Sequence, residues 1–460
     1  MPIRALCSIS LIYVTRMLGL FMVLPVIMLL GQDYAGATAT TLGMALGIYG
    51  LTQAGLQIPL GVLSDVVGRR PVLLLGLLVF VVGSVVAALA DSVTGLIIGR
   101  ALQGAGAISS TLLALLADLT PVQHRTRALA VVGISIGLSF SLAMVVGPLV
   151  GDTWGLPGIF MLTSGLALLS LLLVLTLPEP ARRSRDGYQR WQPAELAAVL
   201  RAPGLWVLNV GIFCLHAVLA SLFLMVPERL SALGYGLAQQ GLVYLVMAVL
   251  ALLALGPMMG QSERRHRPKA MLLFAQALVA GAMLLLPFGL GHWWLTLLAL
   301  LLFFVGFNFL EASLPSWLSR LAAPHQRGTA MGVFSTAQFL GAALGGTLGG
   351  LSLDTGGSAL LVSCALLFLS VWFILTGLMA PPPLSRQIVV PASDLTERSS
   401  VDHTSLRQWA EQLAALDGVL DVHIMDDESA VLLRVSRHEF DEVAFQAARQ
   451  SATQPLGNTE

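Results

Sequence analysis

Charged residues are scarce in this sequence of 460 residues. Asp, Glu, Lys and Arg make up 11% of the chain and hydrophobic residues 56%, whereas about a quarter of an ordinary soluble domain is charged. The apolar residues form blocks of about twenty, the length that a helix needs to cross a bilayer core of roughly 30 Å. The composition therefore excludes an ordinary soluble protein and predicts a chain that lies largely within a membrane.

Cysteine is almost absent as well. Cys7, Cys214 and Cys364 fall in separate apolar blocks, a spacing that excludes a disulfide framework and a thiolate metal site. The sequence also lacks the nucleophile-and-base pair or metal-ligand cluster that an intramembrane enzyme would need. We therefore expect no cofactor, no metal and no enzymatic activity. The first apolar block is too long for a cleaved signal peptide, so it should be retained.

The apolar blocks predict twelve transmembrane helices. Lipid admits only helices and closed barrels, and the blocks lack the alternating polar residues of barrel strands. The expected fold class is therefore an all-α polytopic membrane protein. The predicted spans are 5–30, 42–64, 72–90, 94–117, 128–151, 157–177, 204–226, 239–259, 270–288, 292–318, 329–352 and 356–380.

Basic residues alternate between successive connections of these spans. Sixteen Arg or Lys residues lie at the N-terminus and in every second connection, whereas Arg229 alone lies in the others. Because positive residues stay on the cytoplasmic side, the N-terminus is predicted to be cytoplasmic. An even number of spans then places the C-terminus in the cytoplasm too.

The spans divide into two groups of six. The longest polar connection within the membrane part, 178–203, separates an N-terminal half at 1–177 from a C-terminal half at 204–380. An offset of 202 residues matches Arg125 to Arg327 and Asp152 to Asp354. Parallel repeats of this kind build the two halves of one class of transporter.

The loop after the second span carries a specific motif, "GVLSDVVGRRP" at 61–71. It resembles the loop signature of the major facilitator superfamily, in which it acts as a conformational latch between the two halves. The residues of the resemblance are Gly61, Asp65, Gly68, Arg69 and Arg70. The glycines allow close approach and turning of helix ends, and the carboxylate suits a helix N-terminus or an arginine. The alternative is that the arginines only fix the topology.

Two further motifs support the same resemblance. "GRALQGAGAI" at 99–108 resembles the family motif of the fourth span, and Gly147, Pro148 and Gly151 in "GPLVGD" resemble its antiporter motif. Together with "RMLGLFMVLP", "CLHAVL" and "FNFLEASLPS", they make the whole chain similar to the YajR-like group of drug:H⁺-antiporter-like facilitators. The resemblance implies a monomer in a bacterial inner membrane, with a small-molecule substrate, protons and lipid as partners and no nucleic acid.

Polar residues inside the spans are the candidates for the transport site. A charge at mid-bilayer costs about 2.5 to 3.5 kcal/mol on insertion scales, so it should face a cavity or a partner. The resemblance places the helices that carry these residues around a central cavity. The candidate proton-coupling and cavity residues are Glu311, Arg16, Arg100, Gln103, His216 and Asn308.

Glu311 is the leading candidate for the proton site, because burial, the two arginines and the substrate would together set its protonation. The alternative is a static buried ion pair with Arg16 or Arg100. His216 suits a proton relay near neutral pH, with a hydrogen-bonded core histidine as the alternative.

The C-terminal tail differs from the rest of the chain. Residues 381–460 contain six Arg or Lys and thirteen Asp or Glu. Alternating apolar positions predict strands at 387–391, 419–425 and 430–436 and helices at 405–416 and 439–450. This order indicates a ferredoxin-like domain over 385–452. His403, His423 and His438 lack a metal-ligand spacing, and a regulatory or docking role is possible for this domain.

The sequence thus favours a secondary transporter that exports a small molecule in exchange for protons by alternating access. The first alternative is a membrane sensor or regulatory protein that signals through the C-terminal domain. The second is an uncoupled facilitator.

Overall fold

The described residues divide into two units, one within 3–380 and the other within 381–453. The structure, a computed structural model, describes residues 3–120, 122–178, 193–264, 267–289, 292–322, 326–381, 385–391, 403–424, 430–436 and 439–453. Most of the predicted linker 178–203 and the histidine at 438 therefore lie outside the described residues.

The first unit begins with helices that follow the apolar blocks. They are α1 Ile3–Phe21, α2 Ile27–Leu30, α3 Ala39–Val67, α4 Arg69–Ala88, α5 Val93–Ala105, α6 Ser109–Leu119 and α7 Val122–Thr176. The helices continue as α8 Pro193–Arg201, α9 Pro203–Ala232, α10 Leu237–Arg264, α11 Pro268–Leu285, α12 Trp293–Leu321 and α13 Arg327–Leu378. Helix α8, which the sequence did not predict, occupies the end of the predicted linker.

Nine helical stretches of the described residues are long and apolar enough to cross a membrane, and Leu6–Phe21 forms a shorter one. Helices α7 and α13 contain 55 and 52 residues. At 1.5 Å per residue each would measure about 80 Å if straight, more than twice a bilayer core. Each is broken by one glycine, Gly155 with φ 63° and Gly357 with φ 64°. Only glycine adopts this left-handed region without strain, so each run contains two helices.

Two predicted spans contain a break in the helix. The first span is divided at residues 22–26 into α1 and α2, because Pro25 lacks an N–H and its ring clashes with the preceding turn; this corrects the prediction of one helix over 5–30. The predicted span 94–117 corresponds to Val93–Leu116, which is long and apolar enough to cross a membrane, but it is divided at residues 106–108 into α5 and α6. Gly104 and Gly106 weaken the helix there, and the freed Gly106 carbonyl accepts from Arg16.

The second unit is a small α+β fold of five described elements. They are β1 Ser385–Pro391, α14 His403–Ala414, β2 Val419–Ile424, β3 Ala430–Ser436 and α15 Glu442–Thr453, in the predicted order. The sheet has the order β1-β3-β2 and is antiparallel throughout. The inward side chains of β3, such as Leu433, pack with Trp409 of α14 and Phe445 of α15. This unit therefore has a core of its own.

Candidate functional site

Arg16 of α1 is buried at the break between α5 and α6. Its Nη1 donates to Ser109 Oγ at 2.6 Å, and its Nη2 donates to Gln53 Oε1 at 2.6 Å and to the Gly106 carbonyl at 3.2 Å. Gln53 in turn donates to Gln57 Oε1 at 3.0 Å. At the helix break, the Gly106 carbonyl and the Ser109 hydroxyl therefore accept hydrogen bonds from Arg16. These bonds satisfy both the unwound backbone and the buried cation.

Arg100 of α5 is buried beside the same part of α3. Its Nη1 donates to Gln103 Oε1 at 2.9 Å and its Nε to the Ala45 carbonyl at 3.3 Å. Its guanidinium lies 4.6 Å from the centre of the Tyr49 ring, within the range of a cation–π interaction. Gln103 also donates to Ser84 Oγ at 2.8 Å. We name Arg16, Gln53, Arg100 and Gln103 the arginine cluster.

Glu311 of α12 lies in a second group, the carboxylate cluster, with His216 of α9 and Gln338 of α13. Gln338 Nε2 lies 3.2 Å from Glu311 Oε1 and 2.8 Å from His216 Nε2. His216 Nε2 lies 3.9 Å from Glu311 Oε2. The Glu311 side chain is 23% exposed, whereas that of His216 is 5% exposed. Three helices therefore meet at one glutamate whose side chain is partly exposed.

The structure thus separates the predicted site into two clusters. Among the residues described, Glu311 contacts His216 and Gln338 and makes no ion pair with Arg16 or Arg100. The alternative of a static ion pair between Glu311 and either arginine therefore has no support in this structure. Asn308 donates to the Phe304 carbonyl of its own helix at 2.8 Å, so its amide stabilises the α12 backbone and does not join the carboxylate cluster.

The latch residues form an ion-pair network at the C-terminal end of α3. Asp65 pairs with Arg69, whose Nε donates to Asp118 Oδ2 at 3.0 Å. Arg70 Nη2 donates to the Leu175 carbonyl of α7 at 2.5 Å. Gly68, with φ 109°, turns the chain between α3 and α4, and Gly61 packs beside Ser110. All these partners belong to the predicted N-terminal half.

The antiporter-like motif packs against two other helices. A Cβ at Gly147 would lie 2.3 Å from the Met22 carbonyl oxygen, at the break after α1. A Cβ at Gly151 would lie 3.0 Å from Leu30 of α2 and 3.3 Å from Leu237 of α10. Pro148 lies against Gly241 of α10. The motif therefore allows α7 to pack closely against the break after α1 and against α10 of the other predicted half.

The N-terminal end of α3 is bound to α13. A Cβ at Gly43 would lie 2.2 Å from the Gly346 carbonyl oxygen, and one at Gly47 would lie 2.5 Å from that of Ala343. Asp354 of α13 accepts from Thr40 N at 2.8 Å, Thr40 Oγ1 at 2.5 Å and Ala39 N at 3.2 Å. These amides have no partner within their own helix, so Asp354 caps α3 from the other half.

Four functional side chains were not predicted from the sequence: Gln338, Asp118, Ser109 and Asp354. Gln338 is a polar residue within the apolar span 329–352, which marks it as a candidate without identifying its partners. Asp118 directly follows the predicted span 94–117, where an acidic residue near basic loops suggests an ion pair. The internal repeat marks Asp354 only as the counterpart of Asp152. In each case the sequence shows an unusual residue but not the helix that it contacts.

Comparison with known proteins identifies the family. The family profile described as the Major Facilitator Superfamily matches residues 9–346, a stretch that includes the arginine cluster, the carboxylate cluster and the latch residues. The chain belongs to the Major Facilitator Superfamily. The expectation drawn from the loop signature at 61–71 is therefore confirmed.

This facilitator has relatives that are named as transport proteins. It is 37% identical over 453 residues to the inner membrane transport protein YajR of Escherichia coli, a match that covers 96% of this chain and 98% of that protein. It is 28% identical over 354 residues to the multidrug resistance protein MdtH of Yersinia enterocolitica, covering 74% and 84%. The facilitator is therefore a multi-pass membrane transporter and not an enzyme.

Solved structures show the same fold. A D-xylose-proton symporter superposes with a TM-score of 0.65 at 16% identity, covering 83% of this chain and 98% of the symporter. At this level of identity the likeness concerns the fold alone.

Proposed function

We propose that this facilitator is a proton-coupled exporter of a small molecule that works by alternating access in a bacterial inner membrane. Twelve helices cross the bilayer in this proposal, six in each of the halves 1–177 and 204–380. The division of α7 and α13 at Gly155 and Gly357 supports that number. The soluble domain at 385–452 is ferredoxin-like and cytosolic, with the linker 178–203 on the same side, as the alternation of basic residues indicates.

The observation that carries the proposal is the environment of Glu311. A carboxyl group within a membrane-spanning helix is expensive and marks a functional site unless a cation neutralises it. Among the described residues, the neighbours of Glu311 are an imidazole and an amide. The Glu311 side chain is 23% exposed, unlike a sealed ion pair. The neighbouring imidazole can accept and return a proton.

The proposed topology also assigns a conformational state. The end of α3 at Thr40 faces the periplasm in this topology, and the contact with α13 closes that side. The end at Asp65 faces the cytoplasm. The closed contact at the Thr40 end supports a cytoplasm-facing state of the transport cycle.

The test begins with a ligand-stabilisation screen of the purified protein, followed by flux of each hit into proteoliposomes under an imposed pH gradient. Glu311→Gln should abolish gradient-driven accumulation and preserve substrate binding and exchange, because it removes the proton site without adding bulk. Glu228→Gln is the matched control, since Glu228 lies near the end of α9 and accepts from Gln32 at 3.3 Å.

Accumulation by Glu311→Gln with the wild-type pH dependence would contradict proton coupling at this residue. Hits that bind but are never transported would instead favour the sensor or regulatory alternative. Transport that ignores the pH gradient in the wild type would identify an uncoupled facilitator.

A further inference from the structure

The amide of Gln338 joins the two titratable groups of the carboxylate cluster. Its Nε2 is within hydrogen-bonding distance of His216 Nε2 and Glu311 Oε1, at 2.8 Å and 3.2 Å. These two atoms belong to α9 and α12, while Gln338 belongs to α13. One side-chain nitrogen therefore connects three helices at the proposed proton site.

Elementary hydrogen-bond chemistry determines which group donates. His216 Nδ1 lies 3.2 Å from the Ile212 carbonyl oxygen, which can only accept, so the proton of a neutral imidazole is on Nδ1. His216 Nε2 then carries a lone pair and is an acceptor. An ionised Glu311 is also an acceptor. The amide of Gln338 must consequently present its NH₂ group to both, and both of its hydrogens are used.

A proton at this site could connect Glu311 and His216 directly, whereas the amide now connects them. Glu311 Oε2 is buried without a hydrogen-bond partner in the described residues, and it lies 3.9 Å from His216 Nε2. A proton shared by these two atoms would allow them to bond directly after a movement of about 1 Å. His216 Nε2, one of the two acceptors that hold Gln338, would then be occupied by Glu311.

We propose that Gln338 is a positioning residue that competes with the transported proton for His216 Nε2, so that protonation releases α13 from α9. The proposal rests on the proposed function, in which Glu311 is the proton site. One proton enters from the aqueous side, forms an O–H···N bond between Glu311 Oε2 and His216 Nε2, and displaces the amide from His216, while Glu311 Oε1 still accepts from it. On deprotonation the amide returns and the proton leaves to the opposite side.

Helix α13 is well placed to transmit this release. The residue after Gln338, Phe339, contacts the Tyr49 ring of α3, with ring centres 6.4 Å apart. Further along the same helix, Gly346 and Asp354 form the contact that closes the N-terminal end of α3. Loss of the hydrogen bond between Gln338 and His216 therefore acts on the helix that holds the two halves together.

Other titratable groups on the surrounding helices do not join this site. Tyr244 of α10 packs on Phe223, with ring centres 5.8 Å apart, and Arg100 lies over Tyr49. Cys214 is buried on α9. Of the titratable groups that the structure describes, Glu311 and His216 are those bonded to Gln338.

The test measures a pH-dependent distance between α3 and α13 and needs no substrate. Spin labels are placed at Val66→Cys and Gly328→Cys, two exposed positions on these helices, with the native cysteines replaced by alanine. Double electron–electron resonance at pH 8 and pH 5 should show a change in the wild-type distance distribution. Gln338→Leu should lose most of that change, because no amide remains for the proton to displace.

The control is Gln276→Leu. Gln276 of α11 is buried and donates to Thr376 at 2.9 Å, in the second helix of the α13 run, so the substitution removes a buried glutamine bond between helices away from Gln338. This variant should retain the wild-type response to pH. Nitrogen NMR of His216 provides the second measurement: the proton should be on Nδ1 in the wild type, and the Nε2 signal should change in Gln338→Leu, where no amide bonds to it.

The outcomes separate the two proposals. A wild-type response that Glu311→Gln abolishes but Gln338→Leu leaves intact would overturn the role of Gln338 alone. A distance distribution that ignores pH in the wild type and in Glu311→Gln would instead overturn proton coupling at Glu311.

Discussion

The two ends of α3 are held in different ways. At its N-terminal end, Gly43 and Gly47 contact the α13 backbone and Asp354 caps the first amides. At its C-terminal end, Asp65 pairs with Arg69, which also binds Asp118. The first set of contacts joins the two predicted halves, whereas the second stays within one half.

In the proposed transport cycle, the two sets of contacts have different roles. A contact between the predicted halves must break when the halves rock, so it sets the balance between states. A contact within one half moves with that half and can persist through the cycle. Substitutions at the N-terminal end of α3 should therefore have larger effects on conformation than substitutions at Asp65.

The largest effect is expected for Gly346→Leu. A Cβ at this position would lie 2.8 Å from the Gly43 carbonyl oxygen, so a leucine must push α3 and α13 apart. We expect a loss of about 1 to 3 kcal/mol from the closed contact, as for an overpacked core, and strong loss of transport. Cysteine accessibility at the Thr40 end should rise. Gly377→Leu, in the second helix of the α13 run and with open space around it, should leave accessibility unchanged. Equal effects of the two variants would refute the close-contact interpretation.

A smaller effect is expected for Asp354→Asn. The carboxylate accepts from the first two amides of α3 and from Thr40 Oγ1. Asparagine keeps one accepting oxygen but loses the negative charge at this helix N-terminus, an interaction worth about 0.3 to 2 kcal/mol. The protein should remain folded, while the fraction open at the Thr40 end increases several-fold in accessibility labelling. Asp152→Asn is the control, because Asp152 is the exposed repeat counterpart. The capping role fails if both variants behave alike.

The smallest of the three effects is expected for Asp65→Asn. Arg69 retains Asp118 at 3.0 Å, so the variant loses one ion pair of a partly exposed carboxylate, worth about 0.2 to 1 kcal/mol. Labelling of cavity cysteines should shift measurably but less than in Asp354→Asn. A larger shift than in Asp354→Asn would show that the contacts at the Asp65 end of α3 affect conformation more than those at the Thr40 end. Unchanged labelling would refute the latch role of Asp65.

The sequence predicts the parts of this fold that depend on length and composition. Apolar blocks of about twenty residues mark the spans, because the bilayer requires that length. The breaks after Phe21 and Ala105 were not predicted, since the apolar block continues through both. The Gly106 carbonyl at the second break accepts a hydrogen bond from Arg16, which lies about ninety residues away in sequence.

The sequence predicts most residues of the candidate site but not which of them bond to each other. Glu311, Arg16, Arg100 and His216 stand out because charge and imidazole are rare within apolar spans. Their distances depend on how the helices cross, and this crossing brings Gln338 to Glu311 and leaves the arginines with Gln53 and Gln103. No spacing along the chain contains that information.

The hydrogen bonds of Arg16 also have a consequence for synthesis. Its acceptor Ser109 follows 93 residues later, and a ribosome adds about 5 to 20 residues per second. The first span therefore enters the membrane roughly 5 to 20 s before its guanidinium can be satisfied by α6. We expect the N-terminal helix to wait beside the translocon or at the lipid interface, with its arginine still hydrated, until the fourth span arrives and completes it.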